Sequence, residues 1–203
     1  MFKKIIFQGW IPHLMTVKKI FLVLALVLPF SVFFNYMKFP LYAKVGWYVL
    51  VGVLSTRPLA DIFPDLRILR TLIAFRREFG IFSGMMIFAH FIGFLLAGNI
   101  PFFSIFKESM YWDYKVFLLW GILGLTVAVI VLMTSNNFSM RILKGWWKVI
   151  QRFSYLFLLF GGIHIMMIGK TNSIIEVSIV SILWLLAMFK FKIKFPWLHK
   201  EQI

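Results

Sequence analysis

The sequence predicts an all-α integral membrane protein, a bundle of six transmembrane helices that forms one domain over residues 1–203. Of its residues, 62% are hydrophobic and only 14% are charged, which is too little polar surface for a soluble domain. Charged and turn residues divide the apolar sequence into six segments, each near the length of about 20 residues that a helix needs to cross a bilayer. A lipid-facing surface explains this composition.

The six predicted spans follow one another with short connections. Pro29 lies inside the first span and predicts a kink, which neighbouring helices can accommodate. Glycines and the Arg57-Pro58 pair shorten the second span, and we expect Pro58 to end it. The stretch from Leu66 to Phe75 is amphipathic and predicts a short interfacial helix. The predicted spans cover residues 20–37, 44–60, 79–97, 115–134, 153–169 and 173–190.

Positive charge predicts the orientation of the bundle. Most lysines and arginines fall in the N-terminal segment, in the connections 57–77 and 135–152, and in the tail, whereas the alternate connections hold few. Short cytoplasmic loops retain positive charge, so this pattern places both termini on the cytoplasmic side of a multi-pass protein. The start of the sequence does not resemble a cleaved signal peptide.

Composition also excludes several kinds of function. The sequence contains no cysteine, which excludes disulfides, thiolate metal sites and thioether-linked haem. The net charge of +15 lies between apolar segments, where anionic lipid headgroups would meet it, so we expect membrane lipid as a partner and no nucleic acid. No phosphate-binding loop, nucleophile motif or carboxylate cluster is present.

Two of the four histidines, His90 and His164, fall inside predicted spans three and five. These spans run in the same direction, and both histidines lie at a similar distance from the cytoplasmic end, so their imidazoles should share one depth in the outer half of the bilayer. Such a pair has the geometry of two axial ligands on opposite faces of one haem iron. Each histidine alone could instead hydrogen-bond a neighbouring helix. His13 and His199 are expected to be exposed or interfacial.

Small and aromatic residues surround the histidines along the predicted helices. Gly93 and Gly161 lie one turn from His90 and His164, and small residues leave room for a flat macrocycle, although they also mediate ordinary helix packing in lipid. Five phenylalanines are candidates for the wall of a porphyrin site: Phe82, Phe91, Phe94, Phe157 and Phe160.

A second group of residues combines basic and aromatic side chains in the predicted cytoplasmic loops. Its members are candidates for an inner-leaflet anchor or for a docking surface that frames the cytoplasmic opening and binds an anionic partner such as a flavin nucleotide, haem propionates or an acidic reductase. The group comprises Arg76, Arg77, Trp146, Trp147, Lys148 and Arg152, and we expect Arg76, Arg77, Trp147 and Arg152 to frame the opening.

Several segments resemble a known family. The resemblance covers most of residues 45–170, and its specificity comes from combined spacing. It includes Arg57-Pro58-Leu59-Ala60, Arg76-Arg77-Glu78-Phe79-Gly80 and His90, followed by Thr134-Ser135, Trp147, Gln151, Tyr155 and His164. These residues resemble MsrQ, the haem-binding membrane subunit of the bacterial protein-methionine-sulfoxide reductase system, in the ferric-reductase-like transmembrane superfamily.

The resemblance implies a b-type cytochrome of the bacterial inner membrane. Such a protein would take electrons from quinol or a cytosolic flavin reductase, with FMN or a quinone as a further candidate cofactor, and pass them to a periplasmic molybdenum-containing methionine sulfoxide reductase. His90 and His164 match the haem-ligand positions of the family. Where the family has a further histidine, this sequence has Gln151, a poor iron ligand, so one haem in the outer half is expected.

Two other functions fit the same scaffold. The first is a non-redox transporter or assembly protein that lacks haem, although a transporter would be expected to carry more polar residues at mid-membrane. The second is a ferric reductase or b561-like cytochrome that acts directly on a metal or a quinone.

Overall fold

In the computed structural model, residues 13–193 are described, and their regular structure is entirely helical. The two termini, including His199 and most of the predicted basic tail, lie outside the described residues. Two 3₁₀ segments, Leu28–Phe33 and Tyr36–Lys38, connect the first two α-helices, and a third covers Ser109–Trp112. The α-helices are α1 (Leu14–Val27), α2 (Phe39–Ile62), α3 (Arg67–Ala74), α4 (Arg76–Ala97), α5 (Ser104–Lys107), α6 (Phe117–Met133), α7 (Asn137–Leu143), α8 (Gly145–Arg152), α9 (Ser154–Met167) and α10 (Asn172–Met188).

Each predicted span overlaps a helix, but only some of these helices are long and apolar enough to cross a membrane. By length and composition, three stretches of the described chain can cross a bilayer: Leu14–Phe33, Arg76–Ala97 and Gly145–Met167. A fourth crossing arises if α6 and α7 count as one span, although the chain bends by 90° between them. α10 is a shorter apolar helix. The structure therefore describes an all-helical protein with three or four candidate spans, and the six-span bundle stays a prediction.

Pro29 and Pro58 behave differently. α1 ends at Val27, and the chain continues as a 3₁₀ segment with Pro29 near its start, as the predicted kink requires. The expectation that Pro58 ends the second span is wrong, because α2 continues to Ile62 with Pro58 buried inside it. Pro58 removes only one helical hydrogen bond near the end of α2, and Arg57 pairs with Asp61 across that turn at 3.0 Å.

The long helices form a ring. α4 packs against α2 and α6, and α9 packs against the same two helices, so α4 and α9 each lie between α2 and α6. α10 closes the side between α2 and α9, and α1 packs outside against α4. Many large apolar side chains of the helices are exposed, such as Ile182 and Phe33, as expected of a surface that faces lipid.

Polar side chains join the helices of this ring. The buried Ser83 hydroxyl donates to the Gly46 carbonyl at 2.8 Å, which joins α4 to α2. The Trp47 indole N–H donates to the Glu176 carboxylate, which joins α2 to α10. Lys18 of α1 pairs with the buried Glu78 of α4 at 3.4 Å. Such contacts join polar groups of different helices, and they fix the helices relative to one another.

Candidate functional site

His90 and His164 lie on α4 and α9 and approach each other across the ring. Their ring centroids are 6.5 Å apart, and the ring planes are inclined by 66°. Both side chains are half-buried. Because α4 and α9 are each flanked by α2 and α6, the two imidazoles meet inside the bundle at one level.

The first residue of α2 holds the His90 ring. The Nδ1 atom of His90 lies 3.0 Å from the backbone carbonyl oxygen of Phe39, and the Phe39 ring centroid is 5.4 Å from the imidazole. A carbonyl oxygen can only accept a hydrogen bond, so Nδ1 of His90 carries the proton and donates it. The remaining ring nitrogen, Nε2, therefore keeps its lone pair.

The first residue of α6 holds the His164 ring in the same way. The Nδ1 atom of His164 donates to the carbonyl oxygen of Phe117 at 2.8 Å, and the Phe117 ring lies 5.6 Å from the imidazole. Gly121, one turn further along α6, leaves space beside the ring. The two histidines thus reach two different helix starts, and each retains an Nε2 lone pair.

The site offers two imidazole nitrogens, which are among the ligands that haem iron takes in proteins. Histidine ligands of metals usually donate their other ring N–H to a carboxylate or a backbone carbonyl, which fixes the tautomer and the ring orientation. Two imidazoles that bind one metal ion from opposite sides, with metal–nitrogen bonds of about 2 Å, place their centroids about 6 Å apart. The observed 6.5 Å is compatible with that separation. Within residues 13–193, no three His, Cys, Asp or Glu side chains form a metal-binding group.

Only part of the predicted aromatic wall lies at the histidine pair. Phe94 packs against Phe39 at 6.2 Å, and Phe160 packs against Trp120 of α6 at 6.0 Å, on the helices that hold the histidines. The other candidates have different neighbours: Phe82 contacts Phe21, Phe91 contacts Phe102, and Phe157 belongs to the buried core around Trp47.

Sequence reasoning missed Phe39 and Phe117, which supply the two carbonyl oxygens. The signal that could have found them is positional. Each begins a helix that runs antiparallel to a histidine-bearing helix, so its backbone carbonyl lies level with the histidine in the second half of that helix.

Gln151 lies at the opposite end of the bundle and closes the C-terminus of α6. Its side-chain amide donates to the Thr134 hydroxyl at 3.1 Å and to the Val131 carbonyl at 3.3 Å, and it also contacts the Ser135 hydroxyl at 3.4 Å. The last carbonyls of a helix have no partner within that helix, so these contacts stabilise its end. We call the end around Gln151 the glutamine end and the end around His90 and His164 the histidine end.

The four predicted docking residues all lie at the glutamine end, but they have different surroundings. Arg77 donates to the Ser135 carbonyl at 3.0 Å and to the Asn137 side chain at 2.8 Å. The Trp147 indole N–H donates to the Thr134 carbonyl at 2.9 Å. Arg152 is exposed at the end of α8, and Arg76 is half-exposed at the start of α4. Two of the four therefore stabilise the turn between α6 and α7.

Comparison with known proteins yields one distant similarity. Over 136 residues, the chain is 27% identical to the protein-methionine-sulfoxide reductase heme-binding subunit MsrQ of Agrobacterium fabrum (strain C58). The match covers 66% of this chain and 59% of the relative, so the chain spans less than two thirds of that protein. No model of a protein family matches the chain, and no solved structure matches it.

Proposed function

We propose that this chain is the haem-binding membrane subunit of a methionine sulfoxide reductase system, and that it transfers electrons across the bilayer. The observation that carries the proposal is the histidine pair, whose Nδ1 atoms are held by two backbone carbonyls and whose centroids lie 6.5 Å apart. An ionisable pair at membrane depth is costly and indicates a function. The similarity to a relative whose name includes haem binding and methionine sulfoxide reductase supports the same proposal.

His90 and His164 would hold the haem iron through Nε2, while the Phe39 and Phe117 carbonyls keep the proton on each Nδ1 and fix both ring planes. The cofactor would be of the b type because the sequence has no cysteine for a thioether link. Haem iron, when bound, supplies one-electron transfer at a potential set by its ligands and its burial. The ring of helices holds both side chains half-buried, with their ring centroids 6.5 Å apart.

One haem is proposed, because Gln151 occupies the position at which a second, inner ligand would be needed. Its amide group is engaged by α6, and an amide is a poor ligand for iron. We propose that the glutamine end faces the cytoplasm of a bacterial cell, with six spans and both termini on that side of the inner membrane. A quinol or a cytosolic flavin reductase would donate electrons there, and FMN or a quinone would bind at the basic residues.

On this proposal the histidine end faces the periplasm, where a molybdenum-containing methionine sulfoxide reductase accepts electrons. Arg76 and Arg152 would attract an anionic donor at the glutamine end, since both present positive charge to solvent.

The decisive experiment is a haem assay of the purified full-length chain. We expect a sharp alpha band after dithionite reduction and one haem per polypeptide by pyridine haemochrome. The reduced protein should be reoxidised when the periplasmic reductase and a peptide methionine sulfoxide are added. Protein that carries no haem after expression with haem supplied would overturn the proposal, and a ratio of two would overturn the single-haem assignment. Reoxidation by ferric chelates alone would favour a ferric reductase.

A further inference from the structure

A glycine lies next to each histidine–carbonyl contact of the pair. The surrounding atoms leave no room for a Cβ atom at either glycine. We propose that Gly93 and Gly121 are positioning residues that set the two iron ligands, Gly93 for His90 and Gly121 for His164. This inference rests on the proposed function, because it concerns the same pair of ligands.

Gly121 determines how closely the His164 ring lies against α6. A Cβ atom at position 121 would be 2.9 Å from both Cε1 and Nδ1 of His164, closer than real Cβ contacts occur. The ring cannot swing away freely, because Nδ1 donates to the Phe117 carbonyl of the same helix at 2.8 Å. A methyl group at position 121 would therefore push the ring from its carbonyl acceptor and change the direction of Nε2.

Gly93 acts on the acceptor of His90 rather than on the ring. It lies on α4 one turn after His90, on the same face. A Cβ atom there would be 2.6 Å from the Cβ of Phe39, 3.1 Å from Cγ2 of Val32 and 3.2 Å from the carbonyl oxygen of Tyr36. Two of these three atoms belong to the segment that carries the Phe39 carbonyl. An alanine would force this segment away from α4 and so withdraw the acceptor from His90.

The two histidines thus use different arrangements. Ala43 is the fifth residue of α2, and Gly121 holds the same position in α6. The equivalent position of α2 therefore already carries a methyl group, and the close approach near His90 occurs on its own helix at Gly93. His164 needs the glycine on the helix that carries its acceptor.

Two other glycines provide matched controls on the same helices. A Cβ atom at Gly80 of α4 would meet nothing within 4 Å. At Gly124 of α6 the nearest atoms would lie at 3.6–3.8 Å, which is ordinary van der Waals contact. Neither residue has a positive φ, and alanine is favoured over glycine in a helix by about 1 kcal/mol. Gly80→Ala and Gly124→Ala should therefore leave the histidine pair unchanged.

The experiment compares haem affinity and the ferric electron paramagnetic resonance spectrum of the full-length protein and its four Gly→Ala variants. We expect Gly93→Ala and Gly121→Ala to weaken haem binding by about 10–100-fold, the range for changes in the groups that orient metal ligands. The haem that remains should shift from a low-spin to a high-spin signal. The control variants should retain the affinity and the low-spin signal of the natural sequence.

A second measurement separates ligand positioning from general packing. In a His164→Ala background the ring is absent, so adding Gly121→Ala should no longer reduce thermal stability. An equal loss of stability in both backgrounds would overturn the inference for Gly121. If Gly121→Ala alone fails to fold, failure of the double variant to fold, where His164→Ala alone folds, would overturn it as well. If the natural sequence binds haem and both glycine variants keep its affinity and low-spin signal, the inference fails and the proposed function stands. A natural sequence without haem overturns both.

Discussion

The histidine end and the glutamine end of this bundle differ in what their side chains can bind. α4 and α9 carry His90 and His164 at the histidine end, whereas Arg77 at the start of α4 and Gln151 just before α9 lie at the glutamine end. At both ends, side-chain N–H groups bind backbone carbonyls. An imidazole that donates from Nδ1 still offers Nε2 to a metal, but an engaged amide or guanidinium offers no comparable nitrogen. Within the described residues, the histidine end therefore offers nitrogen lone pairs that the contacts of Gln151 and Arg77 do not.

The largest expected effect comes from replacing histidine with glutamine, which places at the histidine end the same type of side chain as Gln151 at the glutamine end. We expect His90→Gln and His164→Gln each to abolish the reduced alpha band of the purified protein, because each would remove one of the two proposed iron ligands. The measurement is the reduced-minus-oxidised spectrum at equal protein concentration.

His13→Asn is the matched control, since His13 is exposed before α1 and asparagine tolerates its positive φ of 52°. It should leave the spectrum unchanged. A full alpha band in either pair variant would contradict the ligand assignment.

The reverse exchange, Gln151→His, should have a smaller effect. We expect the haem-to-protein ratio to stay at one, because Arg77, which contacts Ser135 beside Gln151, is the α4 residue near this position and a guanidinium has no lone pair for iron. Imidazole cannot reproduce all the amide contacts with α6, so the free energy of unfolding should fall by about 0.5–1.5 kcal/mol. Haemochrome and thermal unfolding measure the two effects, and a ratio of two would show that the glutamine end lacks only one ligand.

The smallest effect is expected from the exposed charges at the glutamine end. Arg76→Gln combined with Arg152→Gln should change the free energy of unfolding by no more than about 0.5 kcal/mol. If an anionic donor docks there, the rate constant for reduction by a flavin reductase should fall by about tenfold at low salt and depend less on ionic strength.

Lys170→Gln removes an exposed charge from the histidine end and serves as the control. Equal rates in the double variant and this control would place donor docking elsewhere.

Hydrophobic pattern was sufficient to predict a helix at each of the six apolar segments, but not α7 and α8, which lie in the predicted connection 135–152. The position of charged residues predicted a common level for His90 and His164, and their rings lie 6.5 Å apart. The local pattern was not sufficient for Pro58, because this residue is buried inside α2, and its burial depends on tertiary packing that a local pattern does not contain. The carbonyls of Phe39 and Phe117 were also missed, since backbone acceptors have no residue type that marks them. Likewise, the Trp47–Glu176 contact joins residues far apart in the sequence.

Backbone carbonyl oxygens hold both imidazoles, and this affects which substitutions are compatible with the site. A side-chain acceptor can be deleted by one substitution, but every amino acid supplies a carbonyl at positions 39 and 117. A carboxylate in the same place would also add a formal charge inside the bundle, at a desolvation cost that a neutral amide avoids. The orientation of both rings is therefore encoded in the path of the main chain, and it tolerates side-chain exchange at the two helix starts.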